Sequence, residues 1–344
     1  MKKVLSILLA ICITCCCFVT CGFSFGKKKA PKTNVEKTVT QGSDDVWCIT
    51  FQLVWNEFLN KVNNGNPIEF VGGNPQLADE LNKKLYTKDD LSENSYYIAE
   101  GKISRALKKQ IESAIYKKFK EKSDILDMIN WNMKDGYLFY SMLKKDFKFL
   151  TAFDKLDAAP FDNSKEYVKY FGVNKKSDKK LYKNIDVLFY NSNDEYAVKL
   201  LTKEKEDVIL LRTDKNDSFE NLYAYIEKNK KTSKFTSHDF LKVPEINVDK
   251  TISYNELCNK KIKNSDYIIS QALQTIKFKM DNEGGTLKSE AAMAIMKTAL
   301  MPEATKSRYF YFDKPFVMFL KEQGKDKPYY AMKVNNTNYF VKEK

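Results

Sequence analysis

Near the carboxy terminus the chain alternates strictly, with Ile276, Phe278 and Met280 separated by Lys277 and Lys279. A turn over residues 281–286, a stretch of mostly small residues over 289–300 and an apolar run over 312–320 follow in that order. Alternation of apolar and charged side chains marks a half-buried strand, and its period of two fixes which residues face the core. The pattern is strand, connector, strand, so the last quarter of the chain is expected to hold two strands joined by the small-residue segment.

With 344 residues, 43% of them hydrophobic and 13% aromatic, the chain can fill one large domain or two small ones. The net charge is +13, and Lys2 and Lys3 belong to a leader. Lysine clusters at 175–176, 179–180 and 228–231 read as a solvated face, with a polyanion partner as the alternative reading. No nucleic-acid motif accompanies the charge, so the reading includes no nucleic-acid partner.

Residues 1–21 read as a signal peptide: a charged front at Lys2 and Lys3, an apolar run over 4–19, then Thr20, Cys21 and Gly22. The run is too short to span a membrane. Phe18, Val19, Thr20 and Cys21 resemble the lipobox of bacterial lipoproteins, which implies lipidation at Cys21 and a membrane anchor at the cell surface or in the periplasm. Thr20 departs from the usual Gly, Ala or Ser, which leaves Cys15, Cys16 and Cys17 open as lipidation sites and an ordinary secreted protein as the alternative. Five of the seven cysteines lie in this leader. The other two, Cys48 and Cys258, form one disulfide or remain two buried thiols. Residues 22–45 are polar and read as a flexible tether, and 46–344 as a single, monomeric domain.

In that domain Phe51, Val54, Trp55, Phe58, Leu59 and Val62 recur at helical spacing, ended by Asn63, Asn64 and Gly65. A second helix is predicted over 104–122, with Ile103, Leu107, Ile111, Ile115 and Phe119 on one stripe. Residues 67–95 carry no firm pattern. Strands are predicted at 137–143, 185–190, 196–201 and 208–211, a helix over 219–229, and mostly strands after residue 240. Helices first and strands later indicate an α+β fold.

Several separated segments resemble the serpin family. A Glu283, Gly284, Thr286 hinge, a small-residue loop and Phe312 with Pro315 and Phe316 resemble the family's carboxy-terminal segment. Residues 137–143, succeeded by Phe149, Phe153, Pro160 and Phe161, are similar to a central-sheet strand and the aromatic segment after it. Residues 186–211, 219–222, 241–246 and 328–335 match later family segments in the family's order. The resemblance implies helices packed on a large mixed central β-sheet, a smaller β-barrel-like sheet and an exposed reactive-centre-like loop. It also implies that the chain inhibits a serine protease, with residues 286–309 as bait; the alternative is a non-inhibitory binding or structural surface lipoprotein. The family's "Phe-Ser-Pro" signature, whose serine lies beneath the opening of the central sheet, is missing at the corresponding stretch, residues 68–75. Ser141 stands where the family's strand carries an asparagine, and residues 127–135 are too short for the helix that crosses the front of the sheet.

The hinge is Glu283, Gly284, Gly285 and Thr286, and its register decides whether the loop can enter the sheet. With Gly285 as the family's glycine, Thr286, Lys288, Glu290 and Ala292 face inward, and burying that Lys and Glu unpaired costs on the order of several kcal/mol each. With Gly284 in that role, Gly285, Leu287, Ser289, Ala291 and Met293 face inward and Lys288 and Glu290 face solvent; the alternation of residues 276–280 favours this second register. Family spacing puts the scissile bond at Thr298-Ala299 or Ala299-Leu300, which suits an elastase- or subtilisin-like protease, whereas Lys297 suits a trypsin-like one.

Enzyme motifs are lacking. His238 is the single histidine, and its neighbours Ser237 and Asp239 cannot form a triad with it because adjacent residues do not reach triad geometry. No nucleophile elbow, zinc-binding His-Glu-x-x-His or phosphate loop occurs. The reading includes no catalytic residue, metal or cofactor.

Overall fold

A computed structural model of the chain describes residues 45–290 and 307–343. In chain order the elements begin with β1 (Asp45–Cys48), α1 (Thr50–Asn63), α2 (Gln76–Asn82), β2 (Tyr96–Lys102) and α3 (Arg105–Phe119). They continue with β3 (Tyr137–Lys148), β4 (Asp154–Pro160), β5 (Tyr167–Val173), β6 (Ile185–Ser192), β7 (Glu195–Leu201) and β8 (Glu206–Arg212). Next come α4 (Phe219–Asn229), β9 (Ser233–Lys234), β10 (Asp239–Pro244), β11 (Ile246–Ser253) and β12 (Leu273–Met280). The last four are β13 (Gly284–Glu290), β14 (Arg308–Tyr311), β15 (Phe316–Glu322) and β16 (Tyr330–Val334).

Three sheets result, with orders β1-β16-β15-β8-β7-β6-β9, β14-β10-β5-β4 and β11-β12-β13-β3-β2. The fold is α+β, as expected. The five-stranded sheet is the central one, and every pairing in it is antiparallel. The parallel pair β10–β14 lies in the four-stranded sheet. Among the described residues no sheet closes into a barrel.

Helix α1 puts Phe51, Trp55, Phe58 and Leu59 in one apolar cluster beneath the central sheet and ends where Asn64 takes a left-handed conformation. It begins at Thr50 because the preceding residues pair with β16. Ser104 caps α3 by accepting a hydrogen bond from the Leu107 amide at 3.1 Å. The helix buries Leu107, Ile111 and Ile115 against Tyr140 and Met142 on the other face of the sheet. It stops at Phe119, short of the expected residue 122, because Lys120 is left-handed. The chain leaving it crosses the front of the sheet as an irregular strap with a 3-10 turn at Leu126–Met128. The patternless stretch 67–95 contains the short helix α2.

Candidate functional site

Of the expected hinge, residues 283–286, Gly284, Gly285 and Thr286 open a strand. A turn precedes it in which the Glu283 amide donates to the Asp281 carboxylate at 2.8 Å and the Asp281 amide to the Gly284 carbonyl at 2.9 Å. From Gly284 the chain enters the central sheet as β13, pairing with β12 on one side and β3 on the other. Two glycines are needed for that entry. A Cβ on Gly284 would lie 2.1 Å from the Phe147 carbonyl oxygen, and one on Gly285 would lie 2.6 Å from the Phe147 ring and 2.7 Å from the Lys279 carbonyl oxygen.

On the inner face β13 contributes Leu287 and Ser289, both fully buried. The Ser289 hydroxyl lies 3.3 Å from that of Thr50 and 3.4 Å from the Gln274 amide nitrogen, and Gln274 also donates to Thr50 at 3.3 Å. Tyr254 completes the cluster by donating to the Gln274 amide oxygen at 3.1 Å. Residues 68–75 contribute no hydroxyl to this group; their Ile68 and Phe70 pack in the apolar cluster of α1. The hydroxyl beneath the sheet is therefore supplied by Thr50 at the start of α1, a position that the reading of residues 68–75 missed.

On the outer face β13 carries Thr286, Lys288 and Glu290. The expectation that Lys288 and Glu290 reach solvent is corrected, because the strap after α3 covers both. Glu290 is 1% exposed and accepts hydrogen bonds from the Ser123 hydroxyl and the Asp124 amide, each at 3.2 Å. Burial pushes its carboxyl up to about 7, although the Asp124 amide, Lys288 and Ser123 oppose the shift. The Lys288 ammonium lies 2.6 Å from the Asp124 carboxylate and donates to the Lys122 carbonyl at 2.7 Å, while Lys277 of β12 reaches Asp124 at 2.9 Å. Burial works against ionising Asp124, but its bonds to Lys288 and Lys277 hold it below the usual carboxylate value.

The described part of β13 ends at Glu290. Among the described residues β13 pairs with residues 143–148 of β3, whereas residues 137–142 of β3 pair with β2. A cavity of about 510 Å³ lies between β3 and the start of β12. Trp55 and Phe58 of α1, Phe139, Ile269 and Leu273 line it, together with Ser141 and the Glu290 side chain. Ser141 is 2% exposed and its hydroxyl has no hydrogen-bond partner among the described residues.

Of the range 286–309 expected as bait, residues 286–290 belong to β13 and Arg308 and Tyr309 to β14. Its far end is held by Arg308, whose guanidinium bonds the Asp239 carboxylate at 2.9 and 2.8 Å. Asp239 also accepts from the Thr236 amide and hydroxyl, while Ser237 and His238 are exposed, so these three neighbours make no triad. The reactive-bond candidates Lys297, Thr298, Ala299 and Leu300, and the lipidation candidate Cys21, lie outside the described residues. Cys48 and Cys258 are free thiols, and burial pushes the Cys48 thiol up to about 11. Among the described residues no helix is long and apolar enough to cross a membrane.

A buried ion cluster adjoins the hinge. Lys145 of β3, the register partner of Leu287, sits between Glu206 of β8, at 2.7 Å, and Glu322 of β15. Tyr329 donates to Glu206 at 2.9 Å, and the Ser92 amide and hydroxyl donate to Glu322. Nothing local in the sequence signals this cluster, because its members come from four distant segments.

No family model matches the chain, and neither does any curated protein sequence. Solved structures do match. The chain is similar to a cleaved serpin 42Da, with 11% identity over 88% of this chain and 93% of that one and a TM-score of 0.52. It is similar to the mouse protein-Z dependent protease inhibitor at 14% identity, covering 86% and 91% of the two chains, TM-score 0.51. A thermophilic serpin, tengpin, in the latent state matches at 13% identity, 87% and 93% coverage and TM-score 0.50.

Proposed function

From a serpin fold whose hinge strand already lies within the central sheet, we infer that the chain is an exported inhibitor of a serine protease, with the segment between β13 and β14 as its bait. The observation that carries this reading is the register of β13. Leu287 and Ser289 face the core, and the same alternation continued along the sequence would turn Ala291, Met293 and Ile295 inward. Counting on from Leu287 opposite Lys145, those residues would meet Ser141, Phe139 and Tyr137, a stretch of β3 whose described partner is β2. The residues that would be buried are small or apolar and none is charged, so insertion carries no ionic desolvation cost.

The proposed reactive bond is Thr298-Ala299 or Ala299-Leu300, with elastase- or subtilisin-like proteases as first targets and Lys297 as the trypsin-like alternative. Residues 1–21 export the chain, and lipidation at Cys21 anchors it to a membrane. The purified protein is mixed with elastase, subtilisin and trypsin and examined on denaturing gels. A covalent complex stable in SDS is the expected result; cleavage near Ala299 without a complex for all three sinks the reading.

One observation favours a second reading, a non-inhibitory surface protein of the same fold. The strap fastens β13 through Glu290, Lys288 and Asp124, which suits a hinge that stays where it is. Melting of the cut protein separates the two. Full insertion predicts a large rise in Tm on cleavage, and a fixed hinge predicts none.

A further inference from the structure

We infer that the cavity between β3 and β12 is a binding site for an apolar amine, an aromatic or short alkyl ammonium ion, with Glu290 as its charge partner. Three features of the cavity point to that class. Its wall is mainly aromatic and aliphatic, and a ring face such as that of Trp55 or Phe139 attracts a cation as well as a hydrocarbon body. The Ser141 hydroxyl is buried in the wall without a partner and is free to accept a hydrogen bond. The third feature is Glu290, the fully buried carboxyl among the described lining residues; Tyr140, a buried ionisable side chain of the same wall, keeps its proton because burial raises its hydroxyl well above the usual value. Lys61 and Lys134 lie with Asp135 and Asp266 among the other lining residues, and cancel them in charge.

The groups facing Glu290 set the pH behaviour. Ser123 and Asp124 come from the strap, Lys288 from its own strand, Tyr140 from β3 and Lys277 from β12. Lys288 and Lys277 are both engaged by Asp124, which leaves the Glu290 carboxyl without an ion-pair contact among the described residues. Burial raises it, so it is largely protonated below neutrality and charged above it. An ammonium ligand then binds more tightly as the pH rises through 7. The site adjoins the end of β13, and by the inhibitory reading, on which this clause alone rests, its ligand occupies the space the bait must enter.

The test uses the full chain and three probes with the same ring: 1-naphthylmethylamine, 1-naphthalenemethanol and 1-naphthoate. Binding is measured by naphthyl emission and calorimetry near pH 6 and near pH 8. The amine is expected to bind about tenfold or more tightly than the other two near pH 8, in line with a charge-assisted contact. That preference falls away near pH 6 and in Glu290→Gln, while Ser141→Leu, which fills the cavity from its wall, weakens all three probes. Equal or tighter binding of the naphthoate, or amine binding untouched by both variants, overturns the proposal. Amide exchange over β13 establishes that each variant keeps the strand in place. Because binding is read directly, it is decided even if the protease trap fails. Should the trap succeed, saturating amine converts complex formation with the protease into simple cleavage.

Discussion

The hydroxyls of Ser289 and Thr50 lie 3.3 Å apart although 239 positions separate them in the chain. Thr50 opens α1 and Ser289 nears the end of β13, so this contact joins the helix under the central sheet to the strand that entered it. Gln274 on β12 bonds to both. Replacing Thr50 by Val keeps the shape and removes the hydroxyl that Gln274 and Ser289 use. Urea unfolding is expected to report a loss of about 1–2 kcal/mol, with Thr50→Ser close to wild type. An unchanged midpoint in Thr50→Val would remove any structural weight from the cluster.

The two glycines at the hinge lead to a second expectation. In Gly284→Ala the new methyl would meet the Phe147 carbonyl at 2.1 Å, so β13 or β3 must shift. Such overpacking costs about 1–3 kcal/mol. If β13 is the strand that moves, as the inhibitory reading holds, amide exchange over residues 284–290 accelerates well beyond that over β11. Uniform acceleration across the whole sheet would instead mean that the strand is held as firmly as its neighbours.

The pH dependence of the hinge comes from Glu290. Its carboxyl lies near 7 with β13 in place, against 4.5 for the free side chain, so the seated strand binds more protons than the released one between those values. Seating is therefore favoured at low pH, weakens as the pH rises from 4.5 towards 7, and carries its full penalty above 7. The penalty is on the order of a few kcal/mol. Glu290→Gln has no charge to desolvate and should be more stable than wild type near pH 8, with the difference vanishing near pH 4.5. Melting curves of the two proteins across that range provide the check, and a constant difference would contradict it.

Much of this arrangement was legible in the sequence. The alternation of Ile276, Phe278 and Met280 pointed to the strand beside the hinge, and α4 spans 219–229 as its periodicity predicts. Local patterns succeed there because one face of each element is buried and the other is wet. The strap was not legible, since residues 121–124 have no periodicity and matter only through what they cover. Thr50 was missed because a helix-starting threonine is ordinary in itself, and its role arises from Ser289 far along the chain. The exposure of Glu290 was misjudged for the same reason: strand alternation tells which face a residue takes, not whether another segment lies over it.

Lys145 provides the last expectation. It is 7% exposed and is shared by Glu206 and Glu322, which tie β3 to two strands of the seven-stranded sheet. Burial raises the Glu206 carboxyl, despite Lys145 and Tyr329. Burial also opposes ionising Glu322, yet the bonds from Lys145 and Ser92 hold that carboxyl below its usual value. Lys145→Met would leave two buried acids facing each other without their cation, which costs about 3–5 kcal/mol when one partner of a buried pair is removed. Adding Glu206→Gln and Glu322→Gln to that variant should restore most of the loss, because amides need no counter-charge and the second of them can still accept from Ser92. Denaturant titrations of the single and triple variants decide the matter. If the triple variant is no more stable than Lys145→Met, the loss comes from packing around the lysine stem rather than from the two stranded charges.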